Sequence, residues 1–179
     1  MFNAVKRFFR DRKLRKFASE LPTGFLPLNE IHTVNVVIDV EETGFDLLKE
    51  DILAWGRSEG LKVNIYFFDF RKLGKDEILM TTIDKTLLRK GLDWLGTPNV
   101  AKLTSLFEEK SDLLISMIDN GDYPIEFLSK CAMARFKVGR CAFKGHVFDM
   151  IVSGSSSEDL RSDSRRIFQE IIEFLLKIK

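Results

Sequence analysis

The sequence predicts an α/β domain of three layers, in which helices cover both faces of a mostly parallel sheet. The main observation is the segment 112–139, where an apolar run, an acidic turn, a helix opened by proline and a second apolar run follow one another. This order is the βαβ unit of a parallel sheet. A second such unit spans residues 33–68, and the 179 residues are enough for one domain with a sizeable core.

Residues 1–21 are predicted to form a basic helix ahead of a single α/β domain over residues 22–179. They are rich in Lys, Arg, Leu and Ala and contain neither Gly nor Pro. The apolar residues fall into two stripes more than a quarter turn apart. The stripes are formed by Phe2, Val5 and Phe9 and by Leu14, Phe17, Ala18 and Leu21. The helix therefore bends near Arg12, or its two halves contact different surfaces.

The first βαβ unit is the clearest in composition. Residues 33–40 are apolar and β-branched, as a central parallel strand requires. Residues 45–59 are an amphipathic helix that ends at Gly60, and the next strand is predicted at 62–68.

The segment that follows is harder to interpret. A short strand is predicted at 78–83 and a helical turn or a loop at 87–94. A helix is predicted from Thr97-Pro98 to about Lys110.

The second unit comprises a strand at 113–118, a helix at 124–134 and a strand at 136–138. Another strand is predicted at 147–153, after a linker of about eight residues. A helical crossover needs a dozen or more, so this last strand is predicted to run antiparallel at the sheet edge. A helix over 158–178 completes a Rossmann-like or flavodoxin-like domain.

The positive charge is concentrated in the N-terminal helix. Seven basic and two acidic residues give residues 1–21 a net charge of +5, whereas the whole chain carries +1. The basic residues are Lys6, Arg7, Arg10, Arg12, Lys13, Arg15 and Lys16. Three alternatives are open: the helix docks on the body, it lies on an anionic membrane surface, or it contacts nucleic acid or an acidic partner. The low overall charge predicts no specific nucleic-acid partner.

Several functional classes are disfavoured. The first strand is followed by Glu41 and Glu42, whose carboxylates would repel a phosphate group. The sequence also contains no glycine-rich phosphate-binding loop. We therefore expect neither a dinucleotide nor another cofactor. Two histidines and two cysteines at these spacings predict no zinc site, and no catalytic motif is recognisable. Basic residues interrupt each apolar run before Leu14, so no secretory signal peptide is predicted. No apolar window is long enough for a transmembrane helix. We expect a cytoplasmic protein.

Acidic residues follow the predicted strands. Asp39 and Asp69 end the first two strands, and the predicted ligand-binding residues are Glu41, Glu42, Asp119, Asn120 and Asp122. In an open α/β sheet these strand ends line the crevice in which ligands bind, here between strands 33–40 and 113–118. The negative potential predicts a cation or a hydroxyl-rich ligand there. Converging carboxylates are suited to Mg²⁺. The alternative is that these acids only complement the dipoles of the following helices, and we favour it, so no metal ligands are assigned.

A second cluster, of basic residues, surrounds the second unit and comprises Lys130, Arg135, Lys137, Arg140 and Lys144. It is either a site for an anion or an acidic partner, or a solvated sheet edge that charge keeps from pairing. We favour the solvated edge, because charged residues are mostly exposed.

Four phrases together carry a resemblance to a known family: LPTGFLPL (21–28), GLDWLGTP (91–98), SDLLISM (111–117) and AMARFKVGR (132–140). They resemble a family of small bacterial α/β proteins known as a domain of unknown function. The resemblance implies no catalytic residues. The second unit is also similar to the nucleotide-sugar half-domains of heptosyltransferase-like enzymes, which use two such domains, whereas this chain is long enough for one.

The sequence therefore predicts a non-catalytic binding or interaction module. The alternative is an enzyme, or a binder of nucleotide sugars or other small ligands, that uses the acidic crevice at the carboxyl ends of the strands.

Overall fold

The computed structural model describes residues 2–71, 81–153 and 164–178. Within these residues a six-stranded sheet has the order β3-β2-β1-β4-β5-β6. Every pair of neighbouring strands is parallel. The strands are β1 (Thr33–Asp39), β2 (Lys62–Asp69), β3 (Thr86–Leu88), β4 (Ser111–Ser116), β5 (Ala134–Gly139) and β6 (Met150–Ile151). The predicted α/β class and the parallel pairing of the four main strands are confirmed.

Helices cover both faces of the sheet. They are α1 (Phe2–Phe17), α2 (Phe45–Ser58), α3 (Thr104–Phe107), α4 (Tyr123–Cys131) and α5 (Ser164–Leu175). On one face α2 and α5 pack through residues such as Trp55 and Phe168. On the other face α1, α3 and α4 contribute Leu14, Leu106 and Phe127 to a second core. No helix in the described parts of the chain is long and apolar enough to cross a bilayer.

The central strand β1 explains the two cores. Side chains alternate between the faces of a strand, so Val36 and Ile38 belong to the core under α2 and α5, whereas Val37 belongs to the other. All three are completely buried. A strand that is buried on both faces must be apolar throughout, which is the pattern of residues 33–40.

The predicted antiparallel strand at 147–153 is wrong. Only Met150–Ile151 forms a strand, and it pairs in parallel with Val138 and Gly139 at the end of β5. Because β6 pairs with the last two residues of β5, the loop between them runs back along the sheet by only about two residues, or about 7 Å. It does not have to run back by the length of a whole strand. The loop 140–149 covers that distance without a helix, so the minimum length of a helical crossover does not apply.

The region between β2 and β4 also differs from the prediction. Thr86–Leu88 is a parallel strand beside β2, whereas Arg89–Gly91 is a 3-10 turn, so the helical turn predicted within 87–94 is present only after the strand. Part of the strand predicted at 78–83 lies outside the described residues. Instead of one helix over 97–110, a 3-10 turn at Val100–Lys102 and the short α3 are separated by Leu103, whose φ of −125° and ψ of 41° are not helical.

Other element boundaries shift by a few residues. The N-terminal helix ends at Phe17 instead of continuing to residue 21. Helix α4 ends at Cys131, because Ala132 is extended with ψ 134°, and β5 begins at Ala134. The first residues of the helix predicted at 158–178 lie outside the described residues.

Candidate functional site

The strand order reverses at β1, which lies between β2 and β4. In parallel sheets this reversal opens a crevice at the carboxyl ends of the two strands. The loops that border it are 40–44, after β1, and 117–122, after β4. The crevice therefore lies where the sequence places the acidic residues.

Arg140 occupies this crevice. Its side chain is only 2% exposed, and its guanidinium pairs with Glu42 at 3.6 Å and with Asp119 at 3.5 Å. It also donates hydrogen bonds to the Met117 carbonyl, at 2.9 Å, and to Ser164 Oγ, at 2.7 Å. A buried cation thus joins the loops after β1 and β4 to the start of α5, and its charge partly offsets the acids around it.

The predicted site residues separate into a centre and a rim. Glu42 is half-buried and accepts a hydrogen bond from Ser164, so Arg140 brings it together with Asp119. Glu41, Asn120 and Asp122 are exposed. The Glu41 N–H donates to Asp39 Oδ1 at 2.8 Å, and the Asp122 N–H donates to Asn120 Oδ1 at 3.1 Å.

Two carboxyl groups of the crevice hold protons more tightly than usual. Burial raises the pKa of Asp39, and the neighbouring carboxylates Glu41, Asp69 and Asp119 raise it further. Burial also raises the pKa of Glu42, against the opposing effects of Ser164 and Arg140.

Asp69, at the end of β2, behaves in the opposite way. Two hydrogen bonds from the Arg71 guanidinium, at 2.8 and 2.7 Å, lower the pKa of Asp69 and hold it ionised. Within residues 2–71, 81–153 and 164–178, no three His, Cys, Asp or Glu side chains are grouped as a metal site.

The interpretation of the basic cluster as a solvated edge is wrong for two of its members. Lys137 and Arg140 are 3% and 5% exposed. Lys137 Nζ donates to the carbonyl oxygens of Ser129, at 2.9 Å, and Lys130, at 3.4 Å, in the last turn of α4. A cation at this position satisfies carbonyl groups that the helix leaves unpaired and complements its dipole.

The buried lysine predicts how stability depends on pH. Burial lowers the pKa of Lys137 from 10.5 to about 8, although Cys131 and Asp149 oppose the shift. Between these values the unfolded chain binds more protons than the folded protein, so stability rises with pH. We expect urea titrations to show an increase of about 0.5 kcal/mol in the free energy of unfolding between pH 8 and 9, because about 1 kcal/mol from Lys137 is partly offset by the buried thiol of Cys131.

The window ends near pH 9 because of Cys131. Burial raises the pKa of its thiol from 9.0 to about 12, so its contribution to stability begins to fall below pH 9 and is progressively lost as the pH rises from there toward 12. Lys137→Met should abolish the increase between pH 8 and 9, whereas Lys62→Met, at an exposed lysine, should retain it. An unchanged increase in Lys137→Met would show that another group causes it.

A second candidate site depends on how α1 docks. The Arg10 guanidinium lies 4.4 Å from the centre of the Tyr123 ring and donates from Nε to the Leu95 carbonyl at 2.7 Å. Leu14 is buried in the core beside α4, and Lys13 forms a salt bridge with Asp93. The N-terminal helix therefore contacts both α4 and the turn at 93–97.

That turn belongs to the segment GLDWLGTP. The Asp93 carboxylate accepts the N–H groups of Leu95, at 2.9 Å, and Thr97, at 2.8 Å. Burial raises the pKa of Asp93, but these bonds and the one from Lys13 outweigh it and hold the pKa below its usual value. Gly96 has a φ of +83°, which favours glycine, and Arg10 lies against it. The turn is thus shaped to receive Arg10 and Lys13.

A groove of about 910 Å³ runs between α1, the start of α4 and the loop 142–144. Its acidic lining residues are Asp11 and Glu126, and its floor includes Tyr123 and Phe143. Its basic lining residues are Lys6, Arg7, Arg10, Arg15, Lys130 and Lys144. The groove therefore has an excess of four positive charges and is suited to an anion.

Sequence reasoning identified these basic residues in two separate groups and missed that they meet. The sequence places one group in the N-terminal helix, and Lys130 and Lys144 in the cluster around the second unit. They converge because the turn at 93–97 holds α1 across α4, a contact between residues about 80 positions apart in the chain. No local pattern signals such a contact.

The model of a family described as "Family of unknown function (DUF6913)" matches residues 6–177. The predicted resemblance to a family of unknown function is confirmed. No curated protein and no solved structure matches the chain. The additional similarity to heptosyltransferase-like half-domains is not shown by these comparisons.

Proposed function

We propose that this protein, which belongs to the family of unknown function DUF6913, is a non-catalytic binding module whose ligand carries several negative charges. The ligand lies in the groove between α1, α4 and the loop 142–144. The observation that carries the proposal is the lining of this groove, in which six basic side chains face two acidic ones. Such a cleft concentrates anions by its electrostatic field.

The groove has a fixed part and an adjustable part. Arg10 is fixed by the Leu95 carbonyl and the Tyr123 ring, so its planar guanidinium is already oriented for a carboxylate or a phosphate. Arg7, Arg15 and Lys144 are exposed and form a rim. Binding should therefore weaken as the salt concentration rises, because exposed charges are screened.

The basic residues of α1 are not equivalent in this proposal. Four of them line the groove, and Lys13 is paired with Asp93. Arg12 and Lys16 lie beside Phe9, outside the groove. The basic residues of α1 therefore include one set in the groove and another beside Phe9. Contact of each set with an anionic surface can be tested by separate variants.

We place the protein in the cytoplasm. Both cysteines are free thiols, and Cys131 is buried. Free thiols are compatible with a reducing compartment, where disulfides are rare.

The second candidate function is the binding or conversion of a small ligand at the crevice of Glu41, Glu42, Asp119, Asn120 and Asp122. The specific observation in its favour is that Asp39 and Glu42, both with raised pKa values, lie at the switch point of the sheet. Perturbed carboxyl groups cluster at functional sites. The strand order is also that of Rossmann-like nucleotide-binding domains. A nucleotide sugar, another hydroxyl-rich molecule or a cation suits this crevice.

A thermal-shift screen with sodium tripolyphosphate, nucleotides, nucleotide sugars and Mg²⁺ tests both sites. We expect tripolyphosphate to stabilise the protein, by about 2.7 kcal/mol at a hundred times its Kd. Lys130→Glu combined with Lys144→Glu should abolish this stabilisation. Lys62→Glu is the matched control, because this exposed lysine lies outside the groove.

The other results either assign a ligand to the crevice or exclude the groove. Stabilisation by a nucleotide sugar or Mg²⁺ that Asp119→Asn abolishes, and that the double variant keeps, would assign the ligand to the crevice. No stabilisation by tripolyphosphate, or equal stabilisation of the double variant and the wild type, would exclude the groove as a site for this anion.

A further inference from the structure

The face of α1 that points away from the body carries large apolar side chains. Val5 is 48% exposed, Phe8 59% and Phe9 39%. These residues are spaced at i, i+3 and i+4 and therefore share one face of the helix. Trp94, which is 62% exposed, extends this surface, since its ring centre lies 6.1 Å from that of Phe9.

The docking of α1 leaves this surface without a role in the fold. Leu14 is buried in the core, so the second apolar stripe of the helix is the one that faces the body. Phe17, at the end of this stripe, is 40% exposed and packs edge-on against Phe127 at 6.0 Å. Val5 and Phe9 of the first stripe remain exposed. Clusters of exposed large apolar residues on soluble proteins usually mark an interaction surface.

Basic residues continue the same face. Arg12 and Lys16 follow Phe8 and Phe9 by about one and two turns, are exposed, and lie with Phe9 around a shallow depression above Leu95. The helix holds one acidic residue, Asp11. The exposed aromatic surface is therefore bordered by positive charge.

We propose that the surface formed by Val5, Phe8, Phe9, Trp94, Arg12 and Lys16 attaches the protein to an anionic phospholipid bilayer. The aromatic side chains enter the interface, and the two basic residues contact lipid phosphates. This combination of aromatic and basic residues is typical of helices that lie in the plane of a membrane. The surface is distinct from the anion groove, so the protein can hold an anionic ligand while it is attached.

The geometry favours a bilayer over a nucleic acid, which also binds aromatic and basic residues. Bases of a single strand stack on ring faces that lie along a groove. Here the rings meet edge-on, at 77° between Phe8 and Phe9 and 65° between Phe9 and Trp94. The rings project from the convex surface of a helix. A bilayer is flat and deformable, so it can cover such a surface.

The chain contains its own probe for this interaction. It has two tryptophans, and Trp55 is only 7% exposed in the core, whereas Trp94 lies in the proposed surface. We would mix the full-length protein with vesicles of phosphatidylcholine containing phosphatidylserine, or of phosphatidylcholine alone. Entry of Trp94 into the interface should shift its emission to shorter wavelength and expose it to quenching by brominated lipids. Both effects should require the anionic lipid and diminish in high salt.

Substitutions separate the components. Phe8→Ser combined with Trp94→Ala should lower the vesicle partition coefficient at least tenfold, measured by sedimentation, and Arg12→Glu with Lys16→Glu should do the same. These side chains are exposed, so unchanged melting temperatures check the fold. Leu47→Ser is the matched control, because Leu47 is 49% exposed on α2, on the opposite face of the sheet.

Three outcomes would overturn the inference. One is the absence of binding to the anionic vesicles. Another is binding that Lys130→Glu with Lys144→Glu abolishes and Phe8→Ser with Trp94→Ala preserves, which would place the lipid phosphates in the groove. The third is binding of single-stranded RNA, but not of vesicles, through the aromatic surface.

Discussion

Replacing Arg140 with methionine is expected to lower the free energy of unfolding by about 2–3 kcal/mol, because the buried hydrogen bonds of its guanidinium and its ion pair with the half-buried Glu42 are lost. The guanidinium is 2% exposed and lies between Glu42 and Asp119. Methionine fills a similar volume but leaves the half-buried Glu42 without its cation and the Met117 carbonyl without the bond at 2.9 Å. Urea unfolding, with the slope m compared between variants, measures the loss.

The effect should depend on burial and on pH. Arg135→Met is the matched control, because Arg135 is 45% exposed and its pairs with Glu30 and Asp112 lie at the surface; we expect a loss below about 1 kcal/mol. For Arg140→Met, the loss should diminish as the pH falls through the pKa of Glu42, since protonation neutralises the stranded carboxylate. Equal losses in the two variants would contradict a buried ionic role for Arg140.

Replacing Gly139 with alanine is expected to destabilise the protein by about 2 kcal/mol, a typical effect of forcing an extra carbon into a packed core. A Cβ atom at this position would lie 2.3–2.5 Å from three ring carbons of Phe148. Phe148 is buried and packs against Phe143 at 5.9 Å, so its ring cannot move freely. The φ of Gly139 is not positive, so the penalty arises from this contact and not from backbone strain.

A double-mutant cycle isolates that contact. Gly139→Ala should lose much less stability in a Phe148→Ala background, where the space beside residue 139 is open. Gly24→Ala is a control, because nothing lies within 4 Å of the added carbon and its φ is not positive. If the cost of Gly139→Ala is the same with and without the Phe148 ring, the ring is not its cause.

Prediction succeeded where the signal is local. The apolar runs predicted at 33–40 and 113–118 locate the parallel strands Thr33–Asp39 and Ser111–Ser116 to within two residues, because a strand buried on both faces needs an uninterrupted apolar run. It failed for β3 and β6, which contain three and two residues. Whether so short a segment forms a strand depends on the neighbouring strand with which it pairs. Whether it runs parallel or antiparallel depends on how far the preceding loop runs back along the sheet.

The sequence alone determined the succession of the four main strands with the helices α1, α2, α4 and α5, the position of β1 at the reversal of the sheet, and the concentration of positive charge in α1. Each of these follows from residue type and spacing along a short stretch. Only the tertiary structure decided which charges are buried. Arg140 and Lys137 are basic residues like Arg135, yet they are enclosed. The reason is that their partners, Glu42 for one and the end of α4 for the other, are brought to them by the fold.

The tertiary structure also decided which face of α1 remains exposed. Both apolar stripes of the helix are visible in the sequence, and nothing in their composition says which one faces the body. The choice is made by the turn at 93–97, which receives Arg10 and Lys13 from a helix about 80 residues earlier in the chain. Contacts of this range depend on the assembled sheet, since it holds the turn and α4 at the spacing that the helix bridges.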